Sequence, residues 1–144
     1  MYLNYGIHNL MNAVTEEEGF PAAILIRALE PVEGLPLMRR RRGSAVPAGS
    51  LCRGPGNLTV ALGITLRHNS AVLTDGGPLR IEDRGVRPPS LTWSPRIGIR
   101  VGTDRLWRCN WEGNQAVSGR SNGRRSTDHG AVRRSMGADH GGRP

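Results

Sequence analysis

Lysine is absent from this sequence, and all 20 of its basic residues are arginine. Cysteine occurs only at Cys52 and Cys109, too few and too far apart for a disulfide scaffold. Together with four scattered histidines, the cysteines also lack the spacing of a zinc site, so no metal is expected. No stretch approaches the roughly 20 apolar residues of a membrane helix. The first apolar stretch has no basic lead and is broken by Asn4, His8, Asn9 and Asn12, so it does not read as a secretory signal. Dinucleotide, P-loop and nucleophile-elbow patterns are missing too. The chain is expected to be soluble and intracellular, without a membrane partner.

What is present is unevenly spread. The 144 residues suit one ordinary domain, and the apolar clusters recur up to about Trp111. Residues 119–144 are rich in arginine and glycine with little to pack, and are expected to form a disordered tail. Two Asp-His pairs in that tail make at most a weak metal site. The formal net charge of +8 fits a polyanionic partner, because the planar guanidinium donates to phosphate in pairs. A genome-wide preference for arginine is the competing explanation.

The expected class is α+β, a single domain with a curved mixed or antiparallel sheet flanked by short helices. The stretches 1–15 and 20–31 read as a hairpin about the polar turn EEEG. Residues 32–43 read as a short helix ending in RRRR and stopped by Gly43. The arginine run is either a solvated helix end favoured by the macrodipole or a phosphate contact. A second short helix follows Gly-Pro-Gly, with Leu58, Ala61 and Leu62 on one face. PRIGIRV (95–101) and RLWRCNW (105–111) alternate as strands do.

Arg27 stands out, set inside the apolar run AAILIRAL (22–29). An unpaired buried guanidinium costs several kcal/mol or more, so this position needs a partner or water. Three arrangements satisfy it: a ligand's anionic group, a carboxylate such as Glu30, or the strand's wet end. Tyr2 and Tyr5, three apart on the facing strand, suit either packing or a wedge into nucleic acid.

The blocks YGIHNLMNAVT, AAILIRALEPVEGLPLMRRRRG, LCRGPGNLTVALGI, PRIGI and LWR resemble, in order and spacing, the 3-methyladenine DNA glycosylases of the alkyladenine (methylpurine) type. The resemblance covers residues 1–118. It implies a monofunctional glycosylase that flips an alkylated purine out of duplex DNA and hydrolyses its N-glycosidic bond with an activated water. It implies no metal or organic cofactor, a monomer, and a bacterial cytoplasmic location beside the nucleoid. Carried over by residue, Tyr5 matches the intercalating side chain, and Tyr2 and Asn12 match the base pocket. Arg27 matches the arginine that positions the water and the target phosphate. The main-chain carbonyl of Ile97 matches a second ligand of that water. Ile7, His8, Asn57 and Gly98 match weaker DNA-contacting positions.

Several features depart from the family pattern. The family's general base is a glutamate upstream of the Y-x-x-YG block, and no carboxylate of this sequence matches it. The linker between MRRRRG and LCRGPG is short, and LWRCNW stands where a proline and aromatics are usual. The expectation is therefore a family member without its N-terminal part, able to bind DNA and impaired in catalysis. The competing expectations are a non-catalytic basic nucleic-acid-binding module and a decayed fragment without stable fold.

Overall fold

A computed structural model describes the backbone of residues 2–4, 8–117 and 124–126, with side chains described over residues 9–117. Its elements are β1 (Tyr2–Asn4), β2 (His8–Leu10), β3 (Asn12–Val14), β4 (Ala23–Leu25), α1 (Leu35–Arg42), α2 (Pro55–Leu62), β5 (Leu91–Ser94), β6 (Arg108–Trp111) and β7 (Arg124–Ser126), with two short 3₁₀ turns. The α+β class is as expected. The strands form three small ladders, β1–β2, β3–β4 and β6–β5–β7, in place of one curved sheet. Every pairing between these strands is antiparallel. Of residues 119–144, only β7 is among the described residues.

Both helices are set by their ends. Pro55 opens α2 at its first turn, where a missing N–H costs nothing. At the other end Gly63 adopts φ 72°, its N–H donating to Val60 O while Ile64 N–H donates to Thr59 O at 2.8 Å. That pair of bonds is the Schellman arrangement, which needs a left-handed residue and so favours glycine. Helix α1 ends where Gly43 N–H reaches Arg39 O at 2.7 Å. Two of its four terminal arginines have structural work: Arg41 Nη1 donates to Ala61 O at 2.9 Å, and Arg42 Nε to Leu51 O at 3.1 Å.

The core lies between the two helices and the first hairpins. Met11, Met38, Leu51, Cys52, Leu58, Ala61 and Ile64 form it, with Ile26 and Leu35 among the half-buried residues packed on its flanks. Fully burying a side chain such as Leu58 contributes about 1.5–3 kcal/mol. Thr59 is buried among these groups, and its Oγ1 lies 2.8 Å from Asn9 O and 2.9 Å from Gly56 O. The single hydroxyl proton thereby ties α2 to β2.

One strand expectation is corrected. Residues 95–101 form an exposed loop, and β6 begins at Arg108 after a further turn. Gly98 has φ 78°, which leaves the extended region, and Ile97 and Val101 are exposed, so the alternation has no buried face to serve.

Candidate nucleic-acid site

Asn12 pairs with Leu25 in the β3–β4 ladder, and Ile26 N–H donates to Met11 O at 3.0 Å beyond it. The described ladder ends at the Asn12–Leu25 pair, and Arg27 lies two residues beyond Leu25. Leu10 is paired with Tyr2 across the β1–β2 ladder. Directly paired residues share one side of the pleat, so Asn12 and Leu25 lie on the same side. Met11 and Ile26, on the other side, pack against the core. The backbone thus sets Asn12 opposite Leu25, two residues from Arg27, and Tyr2 opposite Leu10, two residues from Asn12. Asn12 lines an open cleft of about 420 Å³ with Met11, Val14, His68, Leu73 and Leu79 among its walls.

Arg27 is half-buried and, among the described residues, makes no side-chain hydrogen bond or ion pair. The described ion pairs are all exposed and lie elsewhere, joining Arg80 and Arg84 to Glu82 and Arg87 to Asp83. Glu30, the nearest acid in sequence, accepts instead from Asn114 Nδ2 at 2.7 Å. Among the described residues no carboxylate pairs with Arg27. Glu16, Glu17 and Glu18 are exposed in the turn of the hairpin, as expected.

What stands near Arg27 is another cation. Arg108 is only 4% exposed, and its Nη1 donates to Ser94 Oγ at 3.1 Å. Burial first, and then the charge of Arg27, pull the Arg108 guanidinium below its ordinary range. The sequence reading missed Arg108, and the reason is visible in the pleat. The inner face of β5–β6 carries Thr92, Ser94, Arg108 and Asn110, while the outer face carries Trp93, Cys109 and Trp111. Polar groups face inward and aromatics outward, the reverse of the usual pattern, so the alternation was legible and its sense was not.

Ile97 sits in the loop that Ser94 and Arg108 close at its base. It is 43% exposed, and among the described residues no backbone hydrogen bond ends on its carbonyl. Gly98 follows it in the left-handed conformation that turns the loop. Asn57 lies in the first turn of α2, and its Nδ2 donates to Arg53 O at 2.8 Å. Arg53 bridges Ala28, the neighbour of Arg27, so Asn57 is one backbone step from the site with its amide already engaged. The backbones of Tyr2 and His8 are placed in β1 and β2. Tyr5 and Ile7 lie outside the described residues.

The arrangement is suited to an anion held by one or two guanidiniums beside a cleft with an amide on its wall. Among the described residues no group of three or more His, Cys, Asp or Glu side chains is placed to hold a metal ion. No described helix is long and apolar enough to cross a membrane.

The sequence profile of the family described as Methylpurine-DNA glycosylase matches residues 1–115. A protein of Rhodopseudomonas palustris (strain BisB18) named "Putative 3-methyladenine DNA glycosylase" is 45% identical over 118 residues, covering 82% of this chain and 58% of its own length. Proteins of the same name from Chlorobium phaeobacteroides (strain BS1) and Rubrobacter xylanophilus are 46% and 45% identical, over 86% and 75% of this chain. Those alignments span 62% and 55% of the two relatives. The chain thus spans little more than half the length of the curated relatives it matches.

Proposed function

This chain belongs to the methylpurine-DNA glycosylase family, and on that basis we propose that it carries the nucleotide-holding part of a DNA-3-methyladenine glycosylase site. The substrate class is duplex DNA with a damaged purine, and the reaction is hydrolysis of the purine's N-glycosidic bond. The observation that carries this reading is Arg27: half-buried, two residues beyond the Asn12–Leu25 pair, and without a carboxylate partner among the described residues.

Arg27 donates to the phosphate of the flipped nucleotide and to the attacking water. A phosphate supplies the negative charge that no described residue supplies at this place. Asn12 reads the purine edge with its amide from the cleft wall, and Tyr2 completes the base pocket. The Ile97 carbonyl, with no backbone donor among the described residues, accepts a hydrogen bond from the same water. Tyr5 fills the gap left in the base stack, a wedge that offsets part of the unstacking cost. His8, Ile7, Asn57 and Gly98 border the duplex. In the reaction the water oxygen bonds to C1′ as the C1′–N bond breaks, and a proton must leave that water. No described carboxylate stands beside Arg27 to take it, so the described residues contribute positioning. The protein acts as a monomer in the bacterial cytoplasm.

The test is equilibrium binding of the 144-residue chain to two duplexes that differ only in one abasic analogue. Affinity at least about tenfold higher for the analogue is expected, because an unstacked site saves the cost of flipping, a few kcal/mol. Equal affinity for both duplexes contradicts the reading and describes a basic module without a nucleotide pocket.

A further inference from the structure

The loop between β5 and β6 carries a feature that the pocket does not use. Arg96 and Arg105 both lie over the ring of Trp107, with their guanidinium carbons 5.1 and 4.8 Å from its centroid. Trp107 is 58% exposed, so the group stands on the surface. Each contact is a cation–π interaction, worth about 0.5–1 kcal/mol at an exposed site. Sharing one ring brings the two positive charges to a separation comparable with the Debye length of about 8–10 Å, where like charges still repel.

Nothing described in the loop offsets that repulsion. Neither guanidinium has a carboxylate partner among the described residues, and Arg96 spends one N–H on Val101 O at 3.4 Å. The loop 95–107 holds Arg96, Arg100 and Arg105 against the single acid Asp104. A guanidinium stacked on a ring keeps its edge N–H groups pointing outward, the geometry for donating in pairs to phosphate oxygens. The ring also fixes two long side chains that would otherwise lose rotamer freedom on binding. The same loop bears Ile97, so an anion gripped here lies beside the nucleotide pocket and not in it.

We propose that Arg96 and Arg105, held over Trp107, form a phosphate-binding pair that grips the DNA backbone beside the flipped nucleotide. This rests on the reading of the chain as a DNA glycosylase and adds a contact that carries affinity without damage selectivity. Binding of the full chain to undamaged and abasic-analogue duplexes, measured across salt concentrations, tests it. The Arg96→Ala/Arg105→Ala variant is expected to weaken both duplexes equally and to make the log K against log salt slope shallower by about 2, roughly one unit for each phosphate no longer neutralised. The Arg96→Lys/Arg105→Lys variant, which keeps the charges, is expected to restore most of the slope. Trp107→Ala is expected to fall between parent and double alanine variant.

An unchanged slope in the alanine variant overturns the proposal, and retained abasic preference then leaves the glycosylase reading standing. A shallower slope in a chain without abasic preference supports the phosphate pair and sinks the glycosylase reading. A parent chain that binds neither duplex overturns both. A lysine variant with the same shallow slope as the alanine variant overturns the charge argument.

Discussion

At Arg27 the energetics turn on what completes the site. A charge-assisted hydrogen bond contributes about 1.5–3 kcal/mol, so Arg27→Ala is expected to weaken binding to an abasic-analogue duplex by roughly 10- to 150-fold. Undamaged duplex, which places no flipped phosphate at this position, is expected to bind the variant nearly as well as the parent. The abasic preference is therefore lost while bulk affinity survives. Fluorescence anisotropy with the two duplexes reads both quantities. A second residue-scale expectation concerns Cys52. Burial raises its thiol above the ordinary 9.0, and the charge of Arg42 lowers it by a smaller amount. A folded value above the unfolded one means that the contribution is fully present below about pH 9 and fades as pH rises through the folded value. The urea midpoint is thus expected to fall on the alkaline side, and less steeply in Cys52→Ala.

Among the elements, α2 is fixed at both ends and along one side. Gly63→Ala is expected to destabilise the chain by about 1–2 kcal/mol from the left-handed backbone alone. Its added methyl would also stand 2.8 Å from the Arg41 guanidinium, pushing it off Ala61 O. Thr59→Val keeps the volume and removes the hydroxyl donor to the part-buried Asn9 O, a loss of about 0.5–1.5 kcal/mol. Urea unfolding of each variant checks both. The two helices were legible in the sequence because local chemistry fixes them: Pro55 and Gly63 bracket one, and Gly43 stops the other. The β3–β4 pairing that sets Asn12 opposite Leu25 was legible as well, since a polar turn between two apolar runs specifies a hairpin. The loop 95–101 was not, because its alternation is real and no sheet face receives it. Arg108 was hidden for a related reason: only the packed structure shows that the polar side of β5–β6 is the inner one.

The whole molecule buries a small core against a broad apolar surface. Val14, Phe20 and Ile24 of the β3–β4 hairpin are exposed, as are Trp93 and Trp111. The chain spans little more than half the length of the relatives it matches, while its two helices and first hairpins still close on one another. Leu58→Ala removes a fully buried side chain from that core and is expected to cost about 2–5 kcal/mol. That is a large share of the roughly 5–15 kcal/mol typical of domains. Circular dichroism against urea is expected to show one cooperative transition for the parent, shifted strongly to lower urea in the variant. A gradual, featureless change in the parent contradicts a packed core around α1 and α2.

If the site works as proposed, Asn12 and Arg27 hold a nucleotide outside the stack. A duplex with 2-aminopurine beside the lesion reports that event directly, because its fluorescence rises when its neighbour leaves the helix. The parent chain at saturating concentration is predicted to raise the signal. Arg27→Ala, at a concentration that saturates the same duplex, is predicted to leave it near the free-DNA level. Saturated binding by the parent with no rise in fluorescence, or an equal rise with the variant, would contradict a nucleotide held by these two residues.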